Sequence, residues 1–340
     1  MFKRPRLSAQ TFPVNAGIAS FLLLYAASCS GPQEQADDAV ERRAAETVQQ
    51  PDAEPLPANT LPAVWSTRQL DAPVQSIGIA GGAGSALAVA YEGGGLQIFN
   101  FDGERITSAT EDDVRALGEG RYAMLSGTPV TVFPGIDDAG ELKVWIYGGG
   151  ASQPLQYDLQ GDQVSTASGL CAAPPSSDAS ALHHLAYWTE TEPSVLQLAS
   201  IRENSGELEL VSEGEMQNDR PITACTVNGT TGTAYSEPVQ AAASLRRLGR
   251  QTTIMSEGDG DLQIALGDND PATFEVRDGI SVKVPSSPSA LAATGDARGG
   301  GYPGGVVVLA GTLGASDHRV VLIDPSRITM TPIEVPSPTE

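Results

Sequence analysis

The sequence predicts an all-β fold, on three observations. Short apolar runs alternate with polar positions at a period of two, Gly/Asp/Asn turns separate them, and helical periodicity is nearly absent. The stretch 86–106, ALAVAYEGGGLQIFNFDGERI, shows the repeating unit. Strand residues end at Tyr91, Gly93, Gly94 and Gly95 permit a tight connection needing positive φ, and Leu96, Ile98, Phe99 and Phe101 mark a second, half-buried strand. Asp102-Gly103 then closes the next turn.

The same reading places strands in order along the chain. Ala63–Leu70, Val74–Ala80, Ala86–Tyr91 and Leu96–Phe101 come first, followed by Tyr122–Leu125, Val130–Phe133, Leu142–Tyr147 and Leu155–Leu159. Leu182–Thr189, Val195–Arg202, Leu208–Ser212, Thr223–Val227 and Thr233–Ser236 form the middle of the set. Ser244–Leu248, Thr252–Met255, Leu262–Leu266, Thr273–Val276, Ile280–Val284, Val306–Ala310 and Val320–Ile323 complete it. The segments LQIFNFDGE, LKVWIYGGG and VLQLASIRENSGE each join a strand to a polar turn, and recur at a spacing of about 45 to 55 residues, the size of a four-stranded blade. The expected architecture is a six-bladed β-propeller of four-stranded antiparallel blades over residues 63–336, with a tail at 337–340.

Residues 1–28 read as a targeting segment. Lys3, Arg4 and Arg6 form a basic start, and Ala16–Ala27 is apolar but too short for an ordinary membrane span. Ala26-Ala27-Ser28-Cys29 resembles a bacterial lipobox, which makes Cys29 the lipidation site; ordinary cleavage near Ala27 is the alternative. Ser30 after the cysteine favours the outer membrane, on its periplasmic or surface face. Residues 29–62, rich in Pro, Ala and acids, read as a disordered tether.

Charge excludes some partners. Without Lys3, Arg4 and Arg6 the 20 Lys and Arg fall to 17 against 42 Asp and Glu, a net −25. Such a surface repels nucleic acid and anionic headgroups and suits cations and cationic partners. With Cys29 lipidated, Cys171 and Cys225 remain in an oxidising compartment, either as a disulfide or as two buried thiols. His183-His184 is adjacent, so on a strand the rings face opposite ways, a poor geometry for one metal; a partly exposed strand is expected there. Asp259-Gly260-Asp261 and Asp268-Asn269-Asp270 have calcium-type spacing without a bidentate Glu in the EF-hand position, and Arg246-Arg247 ends a strand.

Four segments resemble the β-propeller phytases, six-bladed calcium-dependent enzymes that release phosphate from inositol hexakisphosphate. Residues 71–106 are similar to the family's first blade, an Asp-Asp-Pro start followed by a glycine-turn hairpin. Residues 221–248, PITACTVNGTTGTAYSEPVQAAASLRRL, resemble its Glu-Gly-Cys/Met…Glu-Glu…Ile-Trp segment, 262–276 its Gly-Asn-Asn turn and 301–328 its closing blade. The resemblance implies 3-phytase activity, with carboxylates collecting calcium and Lys/Arg gripping phosphate. The gripping positions fall at Glu92, Gly135-Ile136, Thr191 and Val321, none basic. Of the calcium ligands, Asp71, Glu237, Asp268 and Asn269 match the family, while Ala72, Thr223 and Ser168 replace others. The four survivors read either as ligands of one calcium or as turn residues making Asx-type backbone bonds. Each unopposed like-charge contact with phytate at ~4 Å costs ~1–4 kcal/mol. The expectation is therefore a phytase-like lipoprotein, catalytically degenerate, acting as an extracytoplasmic binding or scaffold module tied to the membrane by its lipid. The alternatives are an active calcium-dependent phosphomonoesterase and a subunit of a cell-envelope complex.

Overall fold

A computed structural model describes residues 59–82, 85–148, 150–161, 166–174, 180–247, 249–296 and 304–328. All belong to the second of two units of the chain, Leu56–Glu340. Cys29, the targeting segment, most of the expected tether and the tail lie outside these residues.

Six strands stand innermost, and each neighbours the next in a closed ring: β2 (Val74–Ala80), β5 (Val114–Leu117), β11 (Ala167–Ala173), β15 (Ala224–Asn228), β17 (Ala241–Arg247) and β21 (Ala290–Thr294), then β2 again. Each begins one antiparallel blade, so the fold is a six-bladed β-propeller. Blade 1 adds β3 (Ala86–Tyr91) and β4 (Leu96–Phe99). Blade 2 adds β6 (Arg121–Leu125), β7 (Thr128–Asp137), β8 (Leu142–Gly148) and β9 (Leu155–Asp158). Blade 3 adds β12 (Ala181–Thr189), β13 (Val195–Asn204) and β14 (Glu207–Gln217), with the two-residue β10 (Gln160–Gly161) alongside β14. Blade 4 adds only β16 (Thr231–Tyr235). Blade 5 adds β18 (Arg250–Ser256), β19 (Leu262–Leu266) and β20 (Ala272–Arg277). Blade 6 adds β22 (Val306–Leu313) and β23 (Asp317–Ile323).

The chain ends close the ring. β1 (Thr60–Ser66) pairs antiparallel with β23, Ala63 opposite Ile323 and Ser66 opposite Val321, and so becomes the outer strand of blade 6. It also pairs in parallel with β20, tying the outer edges of blades 5 and 6. This strand starts at Thr60, three residues inside the stretch that composition alone assigns to the tether. Among the described residues the expected uniform four-stranded blade is not kept: blade 1 has three strands and blade 4 has two, while blades 2 and 3 have five each. In blade 2, β5 and β6 form one inner line, interrupted at Gly118–Gly120, and both pair with β7.

Apolar side chains are buried where neighbouring blades stack. Phe133 and Trp145 of blade 2 pack on Ala88, Leu96 and Ile98 of blade 1. Val132 and Val144 of blade 2 meet Leu185, Ile201 and Leu210 of blade 3. Comparable clusters join blade 1 to blade 6, blade 5 to blade 6 and blade 3 to blade 4. A large side chain buried this fully contributes roughly 1.5–3 kcal/mol. At the seam of blades 4 and 5 small residues approach instead, joined by hydrogen bonds from Ser244 Oγ to the Val227 carbonyl (3.3 Å) and from Thr223 Oγ1 to the Val239 carbonyl (2.5 Å).

Residues 280–284, expected as a strand, form a loop instead. Asp278 Oδ1 accepts the Val284 amide at 3.0 Å, and Gly279 donates to the Val282 carbonyl, which turns the backbone away from any neighbour strand. The expected partly exposed strand around His183-His184 is corrected too. Both histidines are buried, because β12 is sandwiched between blades 2 and 4 through Leu185 and Tyr187 on one face and Ala186 and Trp188 on the other.

Candidate functional site

Strand direction sorts the loops onto two faces. Every inner strand runs the same way along the axis, from an entry face to an exit face, and, apart from β6, which continues β5, each later strand of a blade reverses direction. The entry face holds the mouth of an axial cavity of about 250 Å³, around Gln75, Arg115, Ser168, Thr223, Gln240 and Ser289. A second cavity of about 280 Å³ opens at the other end, lined by Glu119, Asn228, Arg246 and Asp296.

The axial wall is made of small side chains because six strands converge there. Ala241, Ala242 and Ala243 contribute from β17, and Ala290, Ala292 and Ala293 from β21. A Cβ on Gly118 would come within 2.6 Å of Ala172 Cβ on the neighbouring blade. A Cβ on Gly169 would lie 2.3 Å from the Trp188 indole. Cys171 of β11 and Cys225 of β15 are joined in this wall, with Cα atoms 5.7 Å apart, so the bond staples blades 3 and 4 at the axis. Arg115 and Glu119 are the ionisable side chains of the entry-side cavity, and Arg115 Nη1 lies 3.4 Å from Glu190 Oε1 and donates to the Ala167 carbonyl at 3.3 Å.

Beside the axis, His183 is fully buried against blade 2, with Arg121 and the Glu119 backbone near it. Neither ring nitrogen has a hydrogen-bond partner, and burial, with help from the Arg121 charge, pushes its pKa down to about 3. His184 points the other way, its Nδ1 lying 3.1 Å from Glu213 Oε2, and Arg202 Nη2 reaches the second oxygen of Glu213 at 3.5 Å.

The residues singled out in the sequence do not converge. Asp71 lies in the crossover from blade 6 to blade 1 and Glu237 in that from blade 4 to blade 5, both at the entry face. Asp268 and Asn269 form the β19–β20 turn, at the exit face, where the Gly267 amide donates to the Gln251 carbonyl. One ion therefore cannot be shared by all four. Asp71 is instead engaged by Arg105, 2.9 Å away, and the Asn269 amide donates to the Leu266 carbonyl. Among the described residues no group of three or more His, Cys, Asp or Glu is placed to hold a metal ion. Of the positions where the resemblance calls for basic residues, Glu92 and Thr191 lie in entry-face loops, whereas Ile136 and Val321 are fully buried in β7 and β23.

A second concavity lies on the rim of blades 2 and 3. Here β6–β7 and β13–β14 project toward the exit face as hairpins with Ser-Gly turns, Ser126-Gly127 and Ser205-Gly206, all four residues at positive φ. That conformation matches a two-residue hairpin loop to the strand twist. Glu203 Oε1 ties the two tips by accepting from Ser126 N at 3.2 Å and from Ser126 Oγ at 2.9 Å. Between them is a groove of about 510 Å³, floored by Leu125, Val130, Ile146 and Leu208 and edged by Leu155 and Tyr157. Its ionisable side chains besides Tyr157 are Asp158, Glu203 and Glu207. The sequence marks these hairpin tips by their two Ser-Gly pairs, but nothing in it shows that the tips face each other.

No protein-family model and no curated protein sequence matches the chain. Solved structures similar to it include AofleA from Arthrobotrys oligospora, with a TM-score of 0.49 and 12% identity over 76% of this chain and 89% of that one. Another is the Aleuria aurantia lectin, a fungal six-bladed β-propeller described with a fucose recognition mode, with a TM-score of 0.47 and 12% identity over 79% of this chain and 99% of the lectin.

Proposed function

We propose that this chain is a phytase-like propeller that works by binding, as an extracytoplasmic module held at the cell envelope by lipid on Cys29, and not by releasing phosphate. The observation that carries the reading is the entry-side axial cavity. Its wall is mostly alanine, serine, threonine and glycine with apolar residues such as Ile77, Leu117 and Leu291, and its ionisable side chains among the described residues are Arg115 and Glu119, with Arg115 already engaged by Glu190. Phosphoryl chemistry needs several carboxylates around metal ions and cations on the leaving phosphate. The entry-face loops offer Glu92, Glu190, Glu192 and Glu237, while Arg68, Arg220 and Lys283 sit in three separate crossovers, and a polyanion approaching the glutamates meets like charge.

The test is phosphate release from inositol hexakisphosphate by the purified whole chain, with calcium and with chelator. The expected result is the same rate in both as in a protein-free blank, from protein whose β-sheet circular dichroism shows it folded. Calcium-dependent release overturns the proposal and makes the chain a phosphomonoesterase.

A further inference from the structure

We infer that the rim groove between blades 2 and 3 is a docking site for an extended segment of a partner protein that alternates basic and large apolar residues. The inference rests on the binding reading above and adds the place and the chemistry of the partner.

Three features of the groove point to this occupant. First, its floor is apolar while Leu155 and Tyr157 stand at its edge 47% and 44% exposed, an arrangement that leaves large apolar side chains waiting in water. Second, β9 is the terminal strand of its sheet, paired only with β8 among the described residues, and all four of its residues are exposed. Edge strands are commonly protected by lysine, proline or a bulge, and β9, Leu-Gln-Tyr-Asp, has none of these. Such an edge accepts a further strand through backbone hydrogen bonds, with alternate side chains of the added strand turned into the groove.

Third, the charge is one-sided. Asp158, Glu203 and Glu207 line the groove, and among the described residues no Lys, Arg or His does. Asp158 is already compensated by Lys143, 2.8 Å away, which leaves Glu203 and Glu207 to meet cations of the guest. The adjoining β14 extends the field with Glu209, Glu213 and Glu215, Glu213 itself being held by His184 and Arg202. An acidic peptide or an anionic membrane surface is repelled here, and a neutral apolar segment would leave these carboxylates unmatched. The two hairpins that flank the groove are fixed to one another through Glu203 and Ser126, so the site is preorganised.

The test uses the full-length chain and three fluorescein-labelled heptapeptides: Lys-Val-Lys-Val-Lys-Val-Lys, the same with glycine for valine, and the same with glutamate for lysine. Fluorescence anisotropy should show binding of the lysine–valine peptide alone. Tyr157→Ser and Glu207→Lys should each weaken it about tenfold or more, while Asp270→Lys, on the exit face of blade 5, should leave it unchanged. Both groove substitutions are at exposed positions, and unchanged circular dichroism confirms that the variants fold. Equal binding of the lysine–glycine peptide, equal weakening by Asp270→Lys, or no binding of any peptide overturns the inference. Loss of this inference without calcium-dependent phosphate release leaves the binding reading standing. Release of phosphate with peptide binding intact overturns only that reading.

Discussion

The axial wall and the rim groove are made by the same blades, yet they use side chains in opposite ways. At the axis six strands crowd together, so Gly118 meets Ala172, Gly169 lies under Trp188, and a covalent bond between Cys171 and Cys225 replaces bulk as the means of joining blades. At the rim the blades diverge, and the space is filled partly by leucine, valine and isoleucine and left partly open between two hairpin tips. This contrast locates the places where the molecule can change. Radial divergence gives room for a guest at the rim, while convergence makes the axis a structural element whose small residues tolerate little.

Four experiments test the contrast between axis and rim. The largest effect is expected from His183 in acid. Its pKa is about 3 in the folded protein against 6.5 unfolded, so between these values the unfolded chain binds more protons and stability falls as pH is lowered. Stability from neutral His183 is complete above about pH 6.5 and is lost by about 1.4 kcal/mol per pH unit as the pH falls toward about 3. Urea unfolding from pH 7 to pH 4 should show this slope reduced in His183→Leu; an unchanged slope assigns the acid sensitivity elsewhere.

Next is the staple. The bond closes 54 residues of sequence, and its removal in Cys171→Ala/Cys225→Ala should cost about 4 kcal/mol in the chain-entropy account. Denaturation midpoints of that variant and of the reduced protein should fall together. Smaller again is Gly118→Val, which forces a side chain into the contact with Ala172 and should cost roughly 1–3 kcal/mol, read as a lowered thermal midpoint. Least in stability is Tyr157→Ser at the rim, expected within about 0.5 kcal/mol of the parent. A rim substitution as costly as Gly118→Val would erase the distinction between the two regions.

The outer strands were legible and the inner ones largely were not. Ala86–Tyr91 and Leu262–Leu266 form over the residues that their alternation predicts, and among the inner strands so does Val74–Ala80. β5, β11 and β21, three of the six innermost strands, escape sequence reading because Val-Arg-Ala-Leu, Ala-Ser-Gly-Leu-Cys-Ala-Ala and Ala-Leu-Ala-Ala-Thr carry one leucine each among smaller or polar residues, too few large apolar positions to mark a strand. Those residues are small because the axis demands it, so the very constraint that defines the ring hides it from a periodicity argument. Ile280 and Val282 have the opposite history: they alternate like a strand, but Asp278 closes the loop on itself. The site followed the same pattern. Asp71, Glu237, Asp268 and Asn269 are recognisable as turn residues one at a time, whereas their division between two faces depends on how many strands each blade places before the turn.

Fixed in the chain alone were the all-β class, the turn chemistry of Gly93–Gly95 and Asp102-Gly103, the strong negative charge and the possibility of a bond between Cys171 and Cys225. These are local or additive properties, fixed by φ preferences, side-chain period and a count of ionised groups. It took the folded ring to settle that β1 completes blade 6 beside β23, that blade 4 has two described strands, that His183 and His184 are buried, and that two hairpins far apart in sequence enclose one acidic groove. Those outcomes follow from ring closure, which sets each residue's distance from the axis and its face through pairings that span the whole domain and leave no periodic trace in any one segment.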